Sequence, residues 1–191
     1  MSEEIVPVYA EGIHVFDLTG NVWLVLIFEY RDPKMYYYNL LKSNVEALFE
    51  ELETIMNNMQ KFLDEEIIKI NNERARPQVK DIILGFRGSF HRPYIEFYIN
   101  FQGPIRPGVN RYDNFYEEEV AEYDYEILWI FPEGVRVLSY HIAGDGRILG
   151  TTDNILVVHV KKGTKVGRHE WIEFEVPEDV FKSVQNRLLG R

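Results

Sequence analysis

The chain has 191 residues, 46% of them hydrophobic and 27% charged, and a formal net charge of −10. This is a globular composition; it holds no apolar run long enough to cross a membrane as a helix, and the lack of cysteine excludes disulfides, thiolate catalysis and Cys-ligated zinc. A chain this acidic repels phosphate backbones, so nucleic acid is a disfavoured partner, and the acidic start "MSEEIVPVYAEG" has neither the basic nor the apolar part of a secretory signal. A single cytoplasmic domain over residues 1–191, with no membrane contact, is the expectation.

The first elements are two strands within residues 12–30, turning at Thr19, Gly20 and Asn21, because Gly and Asn tolerate positive φ. Apolar residues occupy both faces of 22–28, which predicts a central strand covered on both sides. After the break at "RDPK", the run "MYYYNLL" reads as a third strand, with a helix starting at Pro33 as the alternative. "SNVE" (43–46) matches a capping box, Ser43 to Glu46, and opens a long helix predicted over about 44–73.

Along that helix Leu41, Val45, Leu48, Leu52, Ile55, Met59 and Phe62 recur at heptad spacing, opposite a polar face of Glu50, Glu53, Asn57, Lys61 and Asp64. Such a seam either lies across a sheet or meets a copy of itself. Its strict repeat and its length favour pairing, so a homodimer is expected, with Leu48, Leu52, Ile55, Met59 and Phe62 as interface candidates.

Beyond Pro77 the pattern becomes β. "DIILGF" is a strand, and "PYIEFYINF" alternates with Ile95, Phe97, Ile99 and Phe101 inward. "QGPIRPGVNRYDN" reads as loop. Tyr123, Tyr125, Ile127, Trp129 and Phe131 share one face of the following strand; "VRVLSYHI", "NILVVHV" and "HEWIEFEV" complete the set, the last two joined by "KKGTKVGR" as a hairpin loop. Pro177, Glu178 and Asp179 suit the first turn of a C-terminal helix over 177–189. Strands grouped in succession with few helices define α+β: six to nine strands, mostly antiparallel, packed on one long helix.

Chemistry is sparse. Gly144, Gly146 and Gly150 come close to a dinucleotide-binding loop, but no helix follows them, so Asp145-Gly146 reads as a hairpin turn in an antiparallel meander. No cofactor is expected. His14, His91, His141, His159 and His169 form no metal-ligand pattern, so no metal is expected either. Arginine binds carboxylate or phosphate in bidentate fashion, which makes Arg87, His91, Arg92, Arg106 and Arg111, with Asp145 and Arg147, the candidate ligand residues. The competing role for the arginines is pairing with the acidic run Glu117–Glu122, itself read as a solvated strand edge.

The expected function is therefore a non-enzymatic binding or assembly protein, self-associating through the helix seam or a tyrosine-rich sheet. Two alternatives stand beside it: a ligand-binding domain or enzyme acting on an anionic substrate with Glu117 or Asp145 as base, and a nucleic-acid accessory protein using Lys161, Lys162, Lys165 and Arg168.

Overall fold

A long hairpin organises the molecule. In the computed structural model, which describes residues 5–188, β1 (Val6–Phe16) and β2 (Asn21–Arg31) pair antiparallel, with His14 opposite Leu24 and Phe16 opposite Val22. The turn is built by Asp17, whose Oδ1 accepts from the backbone N–H of Thr19 (2.8 Å) and Asn21 (3.0 Å) and from the Thr19 hydroxyl (2.6 Å). Gly20 sits there at φ +85°, and a Cβ on it would run into the Gly103 carbonyl oxygen. Gly20→Ala is therefore expected to cost more than about 1 kcal/mol, read as a lower denaturant midpoint at unchanged slope.

The tyrosine run is helical, not a strand: α1 spans Tyr36–Ser43. The buried Asp32 carboxylate accepts from the Tyr37 backbone N–H at 3.2 Å, and Met35 turns the chain at φ 52°. This local capping outweighs the β preference of three tyrosines. α2 (Val45–Glu65) follows directly. Its cap is Asn44, which accepts from the Ala47 N–H at 3.1 Å, whereas the Ser43 hydroxyl donates back to the Asn39 carbonyl. The predicted capping box is thus displaced by one residue.

α2 also stops at Glu65 instead of reaching 73. β3 (Ile67–Ile70) and β4 (Glu73–Ala75) form a hairpin there, turning on Asn71 and Asn72 at positive φ.

The remaining elements are β5 (Gln78–Phe86), β6 (Pro93–Gln102), β7 (Gly108–Phe115), β8 (Glu119–Val120), β9 (Asp124–Ile130), β10 (Arg136–His141), β11 (Asp145–Leu149), β12 (Ile155–Val160), β13 (Lys165–Val166), β14 (Glu170–Val176) and α3 (Glu178–Leu188). Leu189, the last residue of the predicted C-terminal helix, lies outside the described residues. The fold is α+β, 20% helix and 51% strand. Seven strands form one sheet in the order β11-β12-β9-β1-β2-β6-β5, five form a second in the order β10-β14-β7-β3-β4, and β13 pairs with β8. Every described pairing is antiparallel except β1 with β9.

Three connections differ from the sequence reading. The segment expected to be loop over 102–114 contains β7, which begins at Gly108. Asp145 and Gly146 lie inside β11, not in a turn, and a Cβ on Gly146 would overlap the Tyr140 ring; close packing, not phosphate binding, is what this glycine serves. "KKGTKVGR" does not close a hairpin: β12 belongs to the seven-stranded sheet and β14 to the five-stranded one, so this stretch carries the chain between sheets and contributes β13 on the way.

The inner faces of the two sheets meet. Phe16 of β1, Phe131 just after β9 and Phe174 of β14 are nearly fully buried, with ring centroids 4.6 Å apart for Phe16–Phe131 and 4.5 Å for Phe131–Phe174. The helices cover the rest of the inner face near β5. There Gln60 of α2 accepts from the Val79 N–H (2.9 Å) at a bulge in β5 and donates to the Pro77 carbonyl (3.1 Å). Leu48, Leu52 and Leu63 are buried in this contact, and Ile55 and Met59 pack half-buried beside them. Phe62 points away and is 66% exposed. The drift of a straight helix relative to a strict 3.5-residue repeat hands the inward place to Leu63. Most of the seam is therefore spent on the chain's own sheet.

Candidate interaction surface

The interior between the sheets is not wholly apolar. Glu170 of β14 is 8% exposed, accepts from the Tyr116 hydroxyl and the Ala143 backbone N–H, and has its pKa pushed up to about 7 by burial, with the neighbouring Glu66 adding to the rise. The pKa of Glu66 is likewise raised by burial, although Asn114 Nδ2 donates to its carboxylate at 3.0 Å. His14 of β1 stacks on Trp129 at 5.1 Å, and burial lowers its pKa to about 4. Among the described residues, neither His14 Nδ1 nor Trp129 Nε1 has a hydrogen-bond partner. These groups were not legible as a set, because they come from six separate segments. Among the described residues, no three His, Asp or Glu side chains converge as a metal-ligand set.

The candidate ligand residues do not converge either. Arg87 and Arg92 flank the β5–β6 turn and both reach Glu29 of β2, at 3.3 and 3.4 Å, instead of the expected 117–122 run. Arg87 also lies over the Tyr94 ring. His91 is a structural tie: its ring Nδ1 is 3.2 Å from the Asp32 carbonyl, and its own carbonyl accepts from the Asp32 N–H. Arg106 is exposed in the loop before β7, where the buried Asn110 side chain holds its backbone at both N–H and carbonyl. Arg111 is on the outer face of the five-stranded sheet, paired with Asp113 (2.9 Å) and Glu173 (3.0 Å) and stacked over Trp171. Asp145 and Arg147 face only each other, at 3.7 Å on an exposed edge.

A shallow hollow of about 320 Å³ is lined by Thr19, Glu73, Arg74, Gln102, Gly103 and Pro104, and none of the candidate residues lines it. In the basic segment, Arg168 and Lys165 both reach Glu118, at 2.8 and 3.9 Å.

The outer face of the seven-stranded sheet is different. The register places Leu149, Ile155, Ile130, Val15 and Trp23 side by side on β11, β12, β9, β1 and β2. Two residues along each strand, Val157, Leu128, Ile13, Val25 and Tyr98 form a second row, from β12 to β6. Same-face residues are about 6.7 Å apart along a strand and strands about 4.8 Å apart. The two rows therefore make an apolar band of roughly 320 Å², in the range of the largest patch on a monomer, which is often functional. None of these ten residues belongs to the buried core or packs against it, and Trp23, Val15 and Leu149 are 41%, 43% and 48% exposed. The prediction that 22–28 is covered on both sides is corrected here: the strand is central, but one face looks outward.

The next two rows are acidic. His159, Glu126, Glu11, Ile27 and Glu96 lie beside the band, followed by Asp124, Tyr9, Glu29 and Tyr94. The Tyr9 phenol registers this field: its pKa is raised by burial and by Glu126, Glu11, Glu29 and Asp124 around it.

No family model matches the chain, and no curated protein does. Among solved structures, native yeast LTA4 hydrolase aligns over 88% of this chain at 7% identity and a TM-score of 0.34, and a candidate protease from Parabacteroides distasonis over 93% at 7% identity and 0.29. The chain spans 29% and 41% of their lengths. Scores this low carry no argument about fold or activity. Among the described residues, no helix is long and apolar enough to cross a membrane.

Proposed function

We propose that this protein is a non-enzymatic binding module whose working surface is the outer face of the seven-stranded sheet. The observation that carries the reading is the two-row apolar band, which among the described residues neither helix nor second sheet covers. Two further facts support it. The inward seam of α2, the other surface suited to association, is occupied by the chain's own core. The arginines and histidine suited to an anionic substrate are dispersed and paired.

The test is site-specific photo-crosslinking in the cells that make the protein. A photoreactive residue at Trp23 or Leu149 is expected to capture one discrete product. The same residue at Phe62, which is more exposed but on α2, is expected to capture none. Capture from Phe62 and not from the sheet would move the working surface to the helix. A product of twice the chain mass from Trp23 would make the sheet face a self-association surface.

A further inference from the structure

We infer that the occupant of this face is a protein segment whose apolar strip is bordered on one side by lysine or arginine; the inference rests on the reading of the sheet as a binding surface. The band is bordered by carboxylates along one side: Glu126 and Glu11 face outward beside it, with Asp124 and Glu96 nearby, and none of the four makes an ion pair among the described residues. After burial, Glu126, Glu11 and Asp124, together with the ion-paired Glu29, also raise the pKa of the Tyr9 phenol. Unpaired acids beside an apolar strip reward a partner that supplies cations in register and repel one that does not.

A second copy of this chain fits poorly. Two copies overlapping only through their apolar rows bury roughly 640 Å² in total, below the roughly 1,200 Å² of a stable specific interface. A larger overlap sets carboxylates against carboxylates or against apolar rows, and each arrangement is costly. An anionic membrane is disfavoured by the same acids, since lipid headgroups of that sign are repelled.

The test uses the full chain and two labelled 18-residue amphipathic helical peptides, one of leucine and lysine, the other of leucine and glutamate, followed by fluorescence anisotropy. The Leu/Lys peptide is expected to bind at least tenfold more tightly than the Leu/Glu peptide. The double variant Glu11→Lys, Glu126→Lys is expected to reverse that preference. Val15→Ser with Val25→Ser is expected to weaken the Leu/Lys peptide at least fivefold with the charges intact.

Equal affinity for the two peptides, or no response to the charge reversal, with binding still weakened in the serine variant, overturns the basic border while leaving the face itself as a binding surface. Loss on charge reversal with no loss in the serine variant shows simple attraction between polyelectrolytes and overturns the inference. If neither the charge reversal nor the serine pair alters peptide binding, the sheet face itself falls. Binding to vesicles of 7:3 phosphatidylcholine and phosphatidylserine, abolished in the serine variant, would replace the protein segment with a membrane. Thermal unfolding of each variant confirms that the surface changes leave the fold intact.

Discussion

Replacing Phe131 with alanine is expected to destabilise the protein by about 3–5 kcal/mol, the usual range for an aromatic ring deleted from a packed core. Phe131 is 2% exposed and sits between Phe16 and Phe174, so its ring joins the seven-stranded sheet to the five-stranded one. Its backbone is held at both ends, by an N–H donated to the Asn154 carbonyl (2.9 Å) and a carbonyl that accepts from Asn154 Nδ2 (2.7 Å). The backbone therefore cannot follow the lost ring, and a cavity persists. A total stability of about 5–15 kcal/mol leaves little margin for such a loss. Denaturant unfolding measures the cost, and a double-mutant cycle with Phe174→Ala should return a ring–ring coupling of about 0.5–1.5 kcal/mol. A cost below about 1 kcal/mol would mean that the sheets do not meet at this ring.

The second large effect is a dependence on pH centred on Glu170. Its folded pKa of about 7 against an ordinary 4.5 means that, between those values, the folded protein keeps a proton the unfolded chain has released. Stability from this group falls as pH rises through that window, by roughly 3 kcal/mol in all. His14 acts in the opposite sense. Its folded pKa of about 4 against 6.5 means that, on acidification, the unfolded chain takes up a proton the folded protein refuses, so stability falls as pH drops from 6.5 towards 4.

Over the shared window the two slopes nearly cancel. Glu170→Gln keeps an acceptor for the Ala143 N–H and removes the charge. It should be close to neutral at pH 4.5 and stabilising by roughly 2–3 kcal/mol at pH 8. It should also expose the His14 slope below pH 6.5. Denaturant midpoints at pH 4.5, 6 and 8 decide the matter: a variant that tracks the native chain at all three values would show that Glu170 is ionised and solvated at neutral pH.

The strands with one buried face were plain in the sequence. Residues 93–101 and 170–176 alternate without interruption, and Ile95, Phe97, Ile99, Phe101, Ile172, Phe174 and Val176 are all at or below 2% exposure. The long helix was legible for the same reason, except at its end, where Ile67 and Ile70 continue a helical spacing yet belong to a strand. β7 was hidden because its inward positions include Asn110 and Asn114 as well as Tyr112. Polar side chains that fasten a loop or a buried carboxylate break the alternation that marks a strand.

The candidate surface was hidden for a different reason. A strand that is apolar on both faces looks buried, and β1, β2, β9 and β12 each show only part of the band. The rows exist only once β9 is laid beside β1, and no local pattern signals a pairing between such distant segments. Of the tyrosine-rich stretches, Tyr94 and Tyr98 lie on this outer face, whereas Tyr36, Tyr37 and Tyr38 belong to α1 and Tyr125 packs against the core.

That β1–β9 pairing also sets an order of assembly. By residue 102 the chain already contains β1, β2, β5, β6 and the helix that lies against them, all joined by antiparallel neighbours. β1 is then an open edge, waiting for Asp124–Ile130 to arrive in parallel across more than a hundred residues. With the first 102 residues already assembled, the connection left to close is 103–123, and the pairing it completes is non-local in sequence. During biosynthesis the N-terminal half thus passes through a stage with an unpaired strand and a bare apolar face side by side, the combination most prone to cross-chain capture.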